Sequence, residues 1–131
     1  MGKQKIEIVH DLQSTSANIV WQLIGTAEGL AKWIADNVSM KDGEITFEWG
    51  DLWRHHEMRL ARVRESVKQN RFSFHWTDED EETYVELRME RNTLTNNFTL
   101  FITDFADDDD TEWLHNTWDK NFKKLHQTSG L

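Results

Sequence analysis

The chain has 131 residues with seven Trp, seven Phe and no Cys, and its 24 acidic residues outnumber 15 basic ones for a formal net charge of −9. That length builds one domain with a sizeable core over residues 1–131 and leaves no room for a second. The charge argues against nucleic acid or an anionic membrane surface as a partner, and the lack of Cys removes disulfides, thiolate zinc sites and cysteine nucleophiles.

The opening residues lack the apolar stretch of a signal peptide and no run approaches membrane-spanning length, so membrane insertion is not expected and the cytoplasm is the expected compartment. Ile6 and Ile8 alternate with Glu7 and Val9, which predicts a first strand over about residues 3–12. Ser14 or Ser16 then caps a short helix with Ile19, Val20, Leu23 and Ile24 on one face, and Gly25 ends it. Leu30, Trp33 and Ile34 fit a second short helix.

Val38–Met40 reads as a short strand and Asp42-Gly43 as a turn. Glu44–Trp49 alternates to put Ile45, Phe47 and Trp49 on one face. A longer strand runs from about Trp53 to Glu65, with Met58 and Leu60 on one face and Ala61 and Val63 on the other; its charged residues leave the buried face open. In Arg71–Trp76, Phe72, Phe74 and Trp76 share a face, and parity sets His75 opposite them. Asp78–Glu82 reads as a solvated hairpin tip. Val85, Leu87 and Met89 alternate through the next strand, and Phe98, Leu100 and Ile102 through the last, over about 96–103. Asp107–Gln127 forms one long amphipathic helix, with Leu114, Trp118, Phe122 and Leu125 on its apolar stripe and the acidic run at its positive end as a cap.

This order predicts an α+β domain. A curved antiparallel sheet of about six strands carries two short helices after its first strand, and the long C-terminal helix packs across its face. Ile24-Gly25-Thr26-Ala27-Glu28-Gly29-Leu30-Ala31-Lys32-Trp33, the aromatic strand Phe72-Ser73-Phe74-His75-Trp76, and Trp118 with Phe122 and Leu125 resemble three segments of one family. It is the helix-grip fold of the START-like, or SRPBCC, superfamily, in the branch of the activator of Hsp90 ATPase homologues. The resemblance spans nearly the whole chain. It implies a cavity between sheet and helix that takes lipids, sterols, polyketides or other hydrophobic molecules; some members are enzymes and some stimulate a chaperone.

On this reading Trp49, Phe72, Phe74, Trp76, Phe98, Leu100 and Trp118 line the cavity, with Thr117, Asn121 and Asn96 as polar contacts. The helix or the loop Asp104-Phe105-Ala106 moves to admit the ligand. The plain alternative is that the aromatic side chains fill a core. Acid–base candidates are His75, Glu57, Arg59, Arg88 and Asp119. Most of these are expected to form cross-strand ion pairs on the solvated face, such as Arg88 with Glu57 or Glu86 with Arg59. His55 and His56 are adjacent on a strand and point to opposite faces, so no metal site is expected. Asp107–Asp110 lacks the ligand spacing of a calcium loop. No cofactor is expected and no catalytic motif is present. The expected function is binding of a hydrophobic small molecule, lipid-like or polycyclic. A protein-interaction module resembling the co-chaperone is the alternative, followed by an enzyme of the cyclase, dehydratase or hydrolase kind.

Overall fold

The computed structural model describes residues 3–50 and 56–131. Among the described residues, alternating sequence gives seven strands: β1 (Gln4–Asp11), β2 (Asn37–Lys41), β3 (Glu44–Gly50), β4 (His56–Val67), β5 (Arg71–Trp76), β6 (Val85–Arg91) and β7 (Phe98–Ala106). They form one antiparallel sheet in the order β1-β7-β6-β5-β4-β3-β2, so the first and last strands are neighbours. Three helices accompany it: α1 (Ala17–Gly25), α2 (Ala27–Leu30) and α3 (Thr111–Ser129). The count is seven rather than about six because the short strand read at Val38–Met40 pairs fully as β2, in a hairpin with β3 that turns on Asp42 and Gly43. Both have positive φ, 51° and 80°, as the tight inverse turn requires.

Helix α1 begins where the Ser16 hydroxyl accepts from the Ile19 amide at 3.3 Å, and α2 where Thr26 Oγ1 accepts from the Gly29 amide at 3.0 Å. Val20, Leu23 and Ile24 are buried, whereas Ile19 is 51% exposed and does not belong to the buried stripe. The two helices meet so closely that a Cβ on Gly29 would lie 1.7 Å from the carbonyl oxygen of Gln22. Regular helix ends at Leu30, and backbone bonds to Leu30 carry the turn on through Trp33 and Ile34. The Trp33 indole then donates to the Leu23 carbonyl at 2.9 Å, tying that turn back to α1.

The long helix starts at Thr111, four residues later than the acidic run suggested, because Asp108–Asp110 forms a tight 3-10 turn. Neither Asp107 nor Asp110 makes a side-chain capping bond, so the run acts on the helix through charge alone. Leu114, Trp118, Phe122 and Leu125 are buried along one stripe. Gly130, at φ 77°, ends the helix by donating to His126 O at 2.8 Å.

Strand β4 resolves the parity question in favour of its charged residues. Phe47 pairs with Arg59 and Ile45 with Ala61, so Glu57, Arg59 and Ala61 face inward while Met58 and Leu60 lie exposed on the outer face. The expected start of that strand at Trp53, and His55, lie outside the described residues. At the other end of the sheet, Asp104-Phe105-Ala106 is the end of β7 rather than a loop. These residues pair with Ile6, Lys5 and Gln4 of β1, and the ladder fixes them in place.

Candidate functional site: a cavity between the C-terminal helix and the sheet

Beneath the first half of α3 the sheet and helix do not close on each other. A cavity of about 320 Å³, open on one side, is lined by Ile34, Trp49, Glu57, Arg59, Phe74, Trp76, Val85, Asp104, Trp113, Thr117, Trp118 and Asn121. The inner face of β3, β4 and β5 supplies its aromatic floor. Phe74 meets Trp76 edge-on at 5.1 Å between ring centroids, Phe47 packs on both from behind, and Trp49 lies 6.4 Å from Trp76. Two indoles are fixed by their N–H groups: Trp49 Nε1 donates to Ile34 O at 2.9 Å and Trp118 Nε1 to Asp104 Oδ2 at 3.0 Å. A rigid ring anchored at one polar atom can hold a wall in place without filling the space in front of it.

Six of the residues singled out from the sequence meet at this cavity: Trp49, Phe74 and Trp76 from the strands, and Thr117, Trp118 and Asn121 from the helix. Phe72, Phe98 and Leu100 do not line it. They face inward, as parity requires, but lie further along their strands in the closed part of the core. Asn96 is exposed in the turn before β7 with φ 66°, and its carbonyl and side-chain oxygens accept from Arg91.

The charged candidates are distributed differently from the expected ion pairs. Arg59 points into the site and lies over the Trp76 ring at 4.0 Å. It is gripped by Asp78 through both Nε and Nη2, and by Glu79 at 3.0 Å. The Asp78–Glu82 tip is therefore partly a clamp, with Lys3 also paired to Glu79. Arg88 pairs with Glu90 rather than Glu57 and packs over Phe101 on the outer face. His75 is buried on that same face, where its Nδ1 lies 2.8 Å from Thr83 O. Asp119 is exposed on α3, away from the cavity. Among the described residues no group of His, Asp or Glu is arranged to hold a metal ion, and no helix is long and apolar enough to cross a membrane.

One functional group escaped the sequence reading. Asp104 continues the inward parity of Phe98, Leu100 and Ile102 by one more step, which sets its carboxylate in the cavity wall. Oδ1 accepts from the Phe105 amide at 2.7 Å and Oδ2 from Trp118. Burial raises its pKa to about 6; the two hydrogen bonds and the nearby charges of Arg59 and Lys3 oppose that shift without cancelling it. The signal was present in the alternation, which runs to Ala106.

Asp104, Arg59, Trp76 and Trp113 also border a second lobe of about 200 Å³ toward the end of the sheet, where Lys3, Glu79, Tyr84, Phe105, Asp107 and Asp110 contribute. Trp113, 64% exposed in the first turn of α3, stands at the rim of both.

A family model for the START-like superfamily domain matches residues 1–131. A Bacteroides fragilis protein solved by NMR in solution is 38% identical, with 98% of this chain and 92% of that one covered and a TM-score of 0.64. DynU16, a protein of the dynemicin biosynthetic locus, superposes with a TM-score of 0.75 at 16% identity, over 96% of this chain but 48% of its own. The Aha1 dimer from Colwellia psychrerythraea gives a TM-score of 0.67 at 15% identity, covering 99% of this chain and 98% of that one. These last two share the fold, and the Aha1 likeness agrees with the branch that the sequence resembles. No curated protein matches.

Proposed function

The chain belongs to the START-like superfamily, and from that premise we propose that it binds a hydrophobic small molecule, lipid-like or polycyclic, in the cavity between the sheet and α3. The observation that carries this reading is the open, aromatic-walled space of about 320 Å³ under Trp113, Thr117, Trp118 and Asn121. Ligand pockets span roughly 300–1,000 Å³ and combine apolar walls with a few polar groups. Here Trp49, Phe74, Trp76, Val85 and Trp118 supply the walls, and Arg59, Asp104, Thr117 and Asn121 the polar contacts. Apolar area removed from water contributes about 25 cal/mol per Å². The polar groups set orientation more than affinity. Entry is past the exposed Trp113 rim or by displacement of α3, since the β1–β7 ladder holds Asp104–Ala106. The cytoplasm remains the proposed compartment.

The co-chaperone-like reading calls for a filled core and a working exterior, and the cavity weighs against it. Catalysis has one observation in its favour, the half-buried carboxyl of Asp104 in the cavity wall, and would add a reaction to the same binding step.

Native mass spectrometry of the gently purified protein, with extraction of any adduct, tests the binding reading. It pairs with calorimetric titration of a neutral probe, 2-naphthylmethanol, against wild type and Thr117→Trp, which places an indole in the space. Expected are saturable one-site binding by wild type and its loss in the filled variant. Absence of both adduct and probe binding would overturn the proposal, and equal binding by the filled variant would move the site elsewhere.

A further inference from the structure

Building on the proposed binding cavity, we infer that its ligand is a cationic amphiphile: an aromatic or polycyclic body carrying a protonated amine, with the amine seated against Asp104 where the two lobes meet. Three observations converge on that point. The first is the partnering of Asp104. Its carboxylate oxygens take two N–H donors, from Phe105 and Trp118, and among the described residues no cation forms an ion pair with it. The two nearby cations are engaged elsewhere, Lys3 with Glu79 and Arg59 with Asp78 and Glu79. A half-buried carboxylate without a counter-charge is costly, and the loss of water around it raises the Asp104 pKa. A ligand ammonium would supply the missing charge.

The second observation is the balance of charge around the seat. Arg59 from β4 and Lys3 ahead of β1 face four carboxylates on the smaller lobe: Glu79 from the β5–β6 connection, Asp104 itself, and Asp107 and Asp110 before α3. Glu57 adds another at the edge of the larger lobe, while α3 presents only uncharged side chains there, Trp113, Thr117, Trp118 and Asn121. The seat is acidic, and a carboxylate ligand would meet repulsion before it reached an Arg59 already bound by two acids. The third is the aromatic surround. Trp76 and Trp113 border both lobes and Tyr84 the smaller one, so ring faces lie beside the carboxylate, as ammonium recognition favours.

Three probes of one shape separate this inference from the reading beneath it: 2-naphthylmethylamine, 2-naphthylmethanol and 2-naphthoic acid, titrated calorimetrically at pH 7.5. The amine is expected to bind about tenfold or more tighter than the alcohol, and the acid weakest, the size of preference that one desolvated charge pair gives. Asp104→Asn should bring amine and alcohol to within about twofold by removing that pair. A second measurement needs no variant: lowering the pH of wild type from 7.5 to 5 protonates Asp104 and should shrink the preference for amine over alcohol. Equal binding of amine and alcohol by wild type would overturn the amine inference and leave hydrophobic binding standing. Tightest binding by the acid would overturn it in favour of Arg59 as the anchor. No binding by any of the three would overturn both. A preference that survives Asp104→Asn in a folded variant, and survives pH 5, would overturn the assignment to Asp104.

Discussion

One sheet and one long helix serve both ends of this molecule, yet the two ends are built differently. Where α1 packs on β5 and β6, Val20, Leu23 and Ile24 join Phe72, Leu87 and Leu100 in a closed core. The C-terminal half of α3 closes onto the same end, with Thr128 Oγ1 donating to Lys32 O and Lys124 reaching Asp36. Among the described residues no short helix lies beneath the N-terminal half of α3. There the gap is bordered by Trp49, Trp76 and Trp118, and two of these spend their indole N–H on fixed acceptors. At the closed end side chains interdigitate, Trp33 among them with its indole held by Leu23 O, whereas Trp49, Trp76 and Trp118 stand around a gap. Filling at one end supplies stability, and the other end is left open.

The comparison is most exposed at Gly29. A methyl there would lie 1.7 Å from the backbone oxygen of Gln22, which cannot move without separating α1 from α2. Gly29→Ala should cost about 3 kcal/mol or more, or prevent folding, because overpacking against backbone has no cheap relaxation. Urea unfolding checks it, and an unchanged midpoint would show that the short helices do not close that end as tightly as described. Phe72→Ala, at a side chain only 2% exposed, should cost about 3–5 kcal/mol. Because Phe72 does not line the cavity, its variant should bind 2-naphthylmethanol within about twofold of wild type under conditions where it is folded. A matching loss of binding would mean that the two ends are not independent.

The closed end was the more legible from sequence. Period-two alternation puts Phe72, Leu87, Leu100 and Ile102 on inward faces, and three-and-four spacing finds the stripe of α3. The open end was less so. Alternation assigns a residue to a face but not to a position along the strand, so it groups Phe72, Phe98 and Leu100 with Trp49 and Trp76. Polarity misled in two places. Arg59 and Glu57 read as solvent-facing, and Asp104 as part of a loop, because a charged residue on an inward face contradicts burial habits. A cavity open to water is the circumstance in which that contradiction is tolerated. The acidic run before α3 likewise has the composition of a cap, but the chain takes a 3-10 turn there that keeps Asp110 from the required geometry.

Asp104 gives the open end its own pH signature. Its folded pKa is about 6 against an ordinary 3.8. Between those values the folded protein holds a proton that the unfolded chain has released, so stability falls as pH rises through the window and the loss is complete above about 6. A difference of that size between folded and unfolded chain corresponds to about 3 kcal/mol at most. Stability measured from pH 4 to 7 should therefore carry a downward component that is absent in Asp104→Asn, whatever that variant's absolute stability. An identical profile would place Asp104 in a more polar setting than the cavity wall. A saturating amine probe should also remove the component, since it stabilises the ionised form.

The smallest effect is expected from the carboxylate that belongs to the closed end. Asp36 is held below its ordinary pKa, first by the Gly50 amide at 2.7 Å and then by Lys124, with 3.0 Å to the ammonium. Its sign is opposite to that of Asp104: the contribution is present above the ordinary carboxylate range and disappears on acidification through the folded value. The side chain is half exposed, so solvent screens the pair and Asp36→Asn should cost about 1 kcal/mol or less at pH 7. The loss should vanish at low pH, where wild type is also protonated. Because Asp36 joins α3 to the turn before β2 without lining the cavity, amine selectivity should be untouched by the substitution. A changed selectivity in Asp36→Asn would mean that the position of α3, rather than the chemistry of Asp104, sets what the open end accepts.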